Sequence, residues 1–109
     1  MDDYKKLEEL NQKLTEALNR IQKTSADYAK AYRAYRVALR KEHLRLRSNG
    51  IPVTIADDLA RGEETVAALK EQEIITEALY RSNIEAINVY KLQIKIINEQ
   101  IRTEYNNGQ

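Results

Sequence analysis

Two stretches without glycine or proline, Asp3 to Arg47 and Glu64 to Tyr105, flank a short segment holding Gly50 and Pro52, the two residues most hostile to a continuing helix. A helix spanning the first stretch would be roughly 65 Å long at 1.5 Å per residue, a length that small proteins sustain by pairing it with another helix. Ser48-Asn49-Gly50 supplies a left-handed helix stop, and Pro52 prevents resumption. Thr54 reads as the cap of a short helix, with Asp57 in capping-box register, and Gly62 ends it. Glu63 and Glu64 suit the positive end of the helix that follows. The pattern predicts one domain, residues 1–109, with helices over about 3–48, 54–61 and 64–105 and a frayed tail at 106–109.

Apolar residues in the first stretch recur at alternating four- and three-residue steps. The seam reads Leu7, Asn11, Leu14, Leu18, Ile21, Ser25, Tyr28, Tyr32, Tyr35, Leu39, Glu42, Leu46. This near-3.5 period argues for coiled-coil-like packing. Folding at the connector gives an all-α, long antiparallel helical hairpin, placing Arg47 near Thr65, Tyr32 near Tyr80, Tyr28 near Ile84 and Leu7 near Tyr105. On the last helix, Val66, Leu69, Tyr80, Ile84, Ile87, Ile94, Ile101 and Tyr105 form one face, widened by Leu79, Tyr90 and Ile97. Ile74, Val89, Leu92 and Ile96 form a separate stripe that one partner helix cannot cover. The expectation is a homodimer or higher oligomer, in its simplest form a four-helix bundle.

Charge is distributed in blocks. Lys30 to Arg47 holds seven Lys/Arg against Glu42, and Asp57 to Glu77 holds seven acids against Arg61 and Lys70. The whole chain carries only +1, so no global field draws it to nucleic acid or an anionic membrane. It has no cysteine, no apolar run behind its acidic N-terminus and no stretch approaching a membrane span, which together point to a cytoplasmic protein with no membrane partner. There is no nucleophile elbow, phosphate-binding glycine loop or paired metal-ligand motif, so neither an enzyme nor a cofactor or metal is expected. His43 is the only histidine and has no second ligand of its kind.

The sharpest candidate site is a basic stripe. Arg33, Arg36, Arg40, His43 and Arg47 share one helical face. Arginine forks suit phosphate, and with Tyr35, Lys41 and Arg45 this face would make a nucleic-acid interface. The preferred reading is internal or inter-subunit ion pairs flanking the seam, with Arg33, Arg36 and Arg40 brought near Glu77, Glu73 and Glu71 by the hairpin register. Tyr28, Tyr32 and Tyr35 could stack on bases, although their phase with Ile21 and Leu39 favours the core. Residues 54–69 superficially resemble a helix-turn-helix, but Glu63-Glu64 would repel phosphate and the helix after them is far too long. The connector with its charged surroundings is the candidate protein-docking tip, formed by Arg47, Ile51, Val53, Asp57, Asp58 and Arg61.

The stretch Tyr35-Arg-Val-Ala-Leu-Arg-Lys-Glu-His-Leu-Arg-Leu-Arg-Ser-Asn-Gly-Ile-Pro-Val-Thr-Ile-Ala-Asp-Asp-Leu-Ala-Arg-Gly62, with Glu85-Ala-Ile-Asn-Val-Tyr-Lys91 and Gln100-Ile-Arg-Thr-Glu-Tyr105, resembles small helical proteins encoded by phages and prophages of Gram-positive bacteria, often near replication or recombination genes. The resemblance covers about Ala31 to Tyr105 and brings no activity to carry over residue by residue. It implies an accessory factor acting on a host or phage protein of DNA metabolism or defence.

Overall fold

The computed structural model describes residues 2–108 and consists of α1 (Asp2–Ser48), α2 (Val53–Arg61) and α3 (Glu64–Asn107), with no strand among the described residues. α1 and α3 pack against each other as the arms of a helical hairpin. The stop after α1 is the one Gly50 dictates. Gly50 has φ +85°, its N–H donates to the Arg47 carbonyl, and the Ile51 N–H donates to the Leu46 carbonyl, both at 3.1 Å. These are the paired bonds of a Schellman cap, and Ile51 and Leu46 are both half-buried, as befits its apolar pair.

The expected Thr54–Asp57 capping box does not form. Pro52 is the N-cap of α2, with φ −60° and ψ 146°, and α2 has no side-chain cap. Its carbonyl accepts the N–H groups of Ile55 and Ala56, so the rigid proline starts the helix before Thr54 can cap it. At α3 the cap is Glu63, whose Oε2 accepts the Val66 N–H at 2.9 Å. The acid at the positive helix end therefore also satisfies an orphan donor. α3 runs through Asn106 and Asn107, past the expected end at Tyr105, and stops only at Gly108. Gln109 of the expected tail lies outside the described residues.

The chain forms two compact units, Met1–Lys23 with Arg81–Gln109, and Thr24–Tyr80. In the second, Tyr35, Leu39, Ala60 and Val66 form a buried cluster drawing on all three helices, with Ala38, Leu46 and Leu69 packed on it. Burying a side chain such as Val66 contributes about 1.5–3 kcal/mol. Tyr28 stacks on Tyr80 with centroids 5.9 Å apart and donates to Glu77 Oε2 at 2.8 Å. Tyr28 thus meets Glu77 and Tyr80 rather than Ile84, one to two turns from the register read off the sequence. The cause is α2, which lies back along the last turns of α1 instead of closing the end of the hairpin, so Leu39 packs on Ala60 of α2.

In the other unit, Asn83 Nδ2 donates to the Ala17 carbonyl at 3.0 Å, with Ala17 and Ile87 buried and Leu7, Leu10, Leu14, Ile94, Ile97 and Ile101 half-buried. This is again an antiparallel pairing of α1 with α3.

The inward face of α1 keeps Leu7, Leu14, Ile21, Tyr28 and Tyr35, but the positions between them are Leu10, Ala17, Thr24 and Ala31. Asn11, Leu18 and Tyr32, expected in the seam, are exposed. Alanine and threonine leave no bulk between the helices, and a closely packed interior has no room for Leu18 or Tyr32. On α3 the same correction removes Leu79, Ile84 and Tyr105, which are exposed, and inserts Glu73, Thr76 and Asn83. Each of these polar residues has a partner. Glu73 accepts from Lys70 Nζ at 3.1 Å, and the Thr76 hydroxyl donates to the carbonyls of Gln72 and Glu73. Their burial is therefore compatible with a stable seam.

Ala17 is 0% exposed and Leu18 45% exposed. Ala17→Leu should therefore cost about 1–3 kcal/mol by overpacking. Leu18→Ala should stay within about 0.5 kcal/mol of the parent. Urea unfolding followed by circular dichroism ranks them, and the opposite order would restore the seam through Leu18.

Candidate functional site

Spacing places Arg33, Arg36, Arg40, His43 and Arg47 along one side of α1, with Val37 and Leu44 exposed among them. The guanidinium groups of Arg33, Arg36 and Arg40 form no ion pair or hydrogen bond among the described residues. Of their expected partners, Glu73 is bonded to Lys70 and Glu77 to Tyr28, while Glu71 is exposed. The internal ion-pair ladder is thus absent. The register differs by one to two turns, and the acids that enter the seam are taken by groups other than these arginines.

The remaining basic residues are divided. Arg45 Nε donates to both carboxylate oxygens of Glu42, at 3.0 and 3.2 Å, and this bond holds the Glu42 carboxyl below its usual range. Arg47 Nη1 donates to the Ile51 carbonyl at 2.9 Å, bracing the turn. Lys41 is exposed. Tyr35 is only 4% exposed, its hydroxyl accepts from Arg61 Nη1 at 2.8 Å, and Lys70 Nζ stands 4.8 Å from its ring centroid. It is a core residue and cannot stack on a base. Of the residues expected to contact nucleic acid, Arg33, Arg36, Arg40 and Lys41 therefore form no hydrogen bond or ion pair among the described residues.

α2 supplies what the sequence did not reveal. It buries Ala56 and Ala60 and leaves Val53, Ile55 and Leu59 at 59%, 49% and 47% exposure. Helices that pack on a core normally do the reverse. Ile55 and Leu59, four residues apart, share one flank of α2; Asp57 and Arg61 share another. The missed signal was the Ala56/Ala60 pair at helical spacing, which marks a face able to approach another helix closely. Of the expected tip residues, Arg47, Val53, Asp57, Asp58 and Arg61 are exposed, whereas Ile51 is half-buried, with its N–H bonded to the Leu46 carbonyl in the turn.

On the charged flank, Arg61 Nε donates to Asp57 Oδ2 at 2.9 Å. Arg36, Leu39, Arg40, His43, Asp57 and Arg61 line a cleft of about 270 Å³ between α1 and α2. Asp57 ionises below its ordinary 3.8, chiefly through the hydrogen bond from Arg61; slight desolvation opposes this, and the charges of Arg61, His43 and Arg36 add to it.

Among the described residues no group of three or more His, Cys, Asp or Glu is placed to hold a metal ion, and no helix is long and apolar enough to cross a membrane. The chain matches no family model, no curated protein and no solved structure.

Because the folded value of Asp57 is lowered, its pairing with Arg61 stabilises the fold above the ordinary 3.8 and is lost as pH falls through the folded value. Arg61→Ala should raise the midpoint of the Asp57 carboxyl titration, followed by carbon NMR. An unchanged midpoint would show that the two groups do not interact in solution.

Proposed function

We propose that the protein is a non-enzymatic interaction factor that docks on another protein through α2. One observation carries this reading: a nine-residue helix turns two alanines inward and three branched aliphatics outward. Leaving Val53, Ile55 and Leu59 about half exposed forfeits roughly half of the 1.5–3 kcal/mol that full burial of each would contribute, a cost that a partner surface would recover. Asp58 and the Asp57–Arg61 pair beside them would give that contact a polar rim. The resemblance to phage and prophage proteins supports a partner in host or phage DNA metabolism or defence, met in the cytoplasm.

Self-association belongs to the same proposal. In one unit α3 exposes Val89, Leu92 and Ile96, and in the other it exposes Ile74, Ile75 and Leu79. A second copy would cover these residues in each unit, forming a homodimer.

A second reading is favoured by the arginines. Arg33, Arg36, Arg40 and Lys41 form no ion pair with a carboxylate among the described residues, which suits residues that track a nucleic-acid backbone.

Two variants separate docking from self-association. Ile55→Ser with Leu59→Ser should leave helicity and sedimentation mass unchanged but abolish recovery of the protein that co-purifies with the parent chain. Leu92→Glu with Ile96→Glu should lower the mass to that of a monomer. Equal recovery of that protein by the first variant would contradict docking through α2, and a monomeric parent would contradict self-association.

A further inference from the structure

We propose that the cleft between α1 and α2 is a binding site for a single phosphate monoester, held by Arg36, Arg40, His43 and Arg61. The site goes beyond a basic helix face, because it needs α2. Arg36 and Arg40 lie one turn apart on α1, with His43 on the next turn of the same side, and α2 brings Arg61 across from them. Leu39, buried in the three-helix cluster, forms the apolar floor.

The four polar groups differ in how ready they are. Arg61 is already oriented, with Nε on Asp57 and Nη1 on the Tyr35 hydroxyl, which leaves Nη2 uncommitted. Little side-chain entropy remains for it to lose on binding. The Arg36 and Arg40 guanidinium groups form no hydrogen bond or ion pair among the described residues, although the charge of Arg36 acts on Asp57, so each can offer a two-pronged fork to an oxyanion. Half-buried His43 adds a ring N–H donor.

Charge selects the ligand class. Three guanidinium groups against the single carboxylate of Asp57 leave these four groups with two net positive charges in the cleft. A phosphate monoester carries about −1.5 to −2 near neutral pH, whereas a carboxylate would leave the cleft cationic. A cleft of about 270 Å³ admits the phosphoryl group and the sugar next to it. The same group is borne by a free nucleoside monophosphate and by the 5′ end of a nucleic-acid strand.

Titration of the isotopically labelled full chain, read at the arginine Nε–H and His43 signals, tests the assignment. Inorganic phosphate, adenosine monophosphate and a short single strand with and without a 5′-phosphate are the probes, with glutamate as the carboxylate control. Phosphate and adenosine monophosphate should give saturable shifts at Arg36, Arg40 and Arg61, and Arg36→Gln or Arg40→Gln should weaken each by about tenfold or more, the loss expected for a charge-assisted fork. Arg33→Gln, on the same helix face but outside the cleft, should leave both affinities unchanged. Tighter binding of the phosphorylated strand than of adenosine monophosphate assigns the ligand to a strand end, and equal binding assigns it to the free nucleotide. Shifts that fail to saturate, an equal response to glutamate, or equal losses for Arg33→Gln and Arg36→Gln would overturn the site. The reading of the arginines as a backbone-tracking face fails separately, if the strand lacking its 5′-phosphate does not bind at low salt.

Discussion

Contact between the alanine face of α2 and the last turns of α1 governs the half of the hairpin that carries the candidate site. Ala60 has no accessible surface and joins Tyr35, Leu39 and Val66 in one cluster. A methyl group at that position lets two helix backbones come close, and a larger side chain would hold them apart. Once α2 lies along α1, α1 overlaps α2 as well as α3, and Tyr28 finds Glu77 and Tyr80 across from it.

The chemistry of the tip follows from this placement. With alanine inward, the branched residues of α2 have nowhere to go but outward. With the register moved, the acids near the seam are bonded to Lys70 and Tyr28, and Arg33, Arg36 and Arg40 keep their charge for something else. Asp57, which lines the cleft with Arg36 and Arg40, is bonded to Arg61. One packing decision thus produces both an aliphatic surface and a basic cleft on opposite flanks of a nine-residue helix.

Much of the architecture was legible because single residues carry it. Gly50 and Pro52 determine where the first long helix ends and the next element starts, and the heptad period names the residues Leu7, Leu14, Ile21, Tyr28 and Tyr35 correctly. Of the intermediate seam positions, Leu39 and Leu46 were also legible, but Asn11, Leu18 and Tyr32 were not. Hydrophobicity favours Leu18 and Tyr32 over Ala17 and Ala31, while close packing favours the smaller residues, and only the backbone separation decides between them. Glu73, Thr76 and Asn83 escaped for a related reason: polar residues enter a core when a partner is in reach, and Lys70 and the Ala17 carbonyl are known to be in reach only once the register is known. Opposite charge blocks in sequence likewise say nothing of phase. The arginines and the acids occur in complementary numbers, yet the expected pairs of Arg33, Arg36 and Arg40 with Glu77, Glu73 and Glu71 do not form.

Amide hydrogen exchange across residues 53–61 tests the docking of α2 most directly. If α2 is fixed by its alanines, the N–H groups of Ala60 and Arg61 should exchange about as slowly as that of Leu39 in α1, because all belong to one cooperative cluster. Exchange of the α2 amides at the rate of an unstructured segment, with α1 still protected, would mean that α2 is not held there, and the outward aliphatics and the cleft would lose their physical basis.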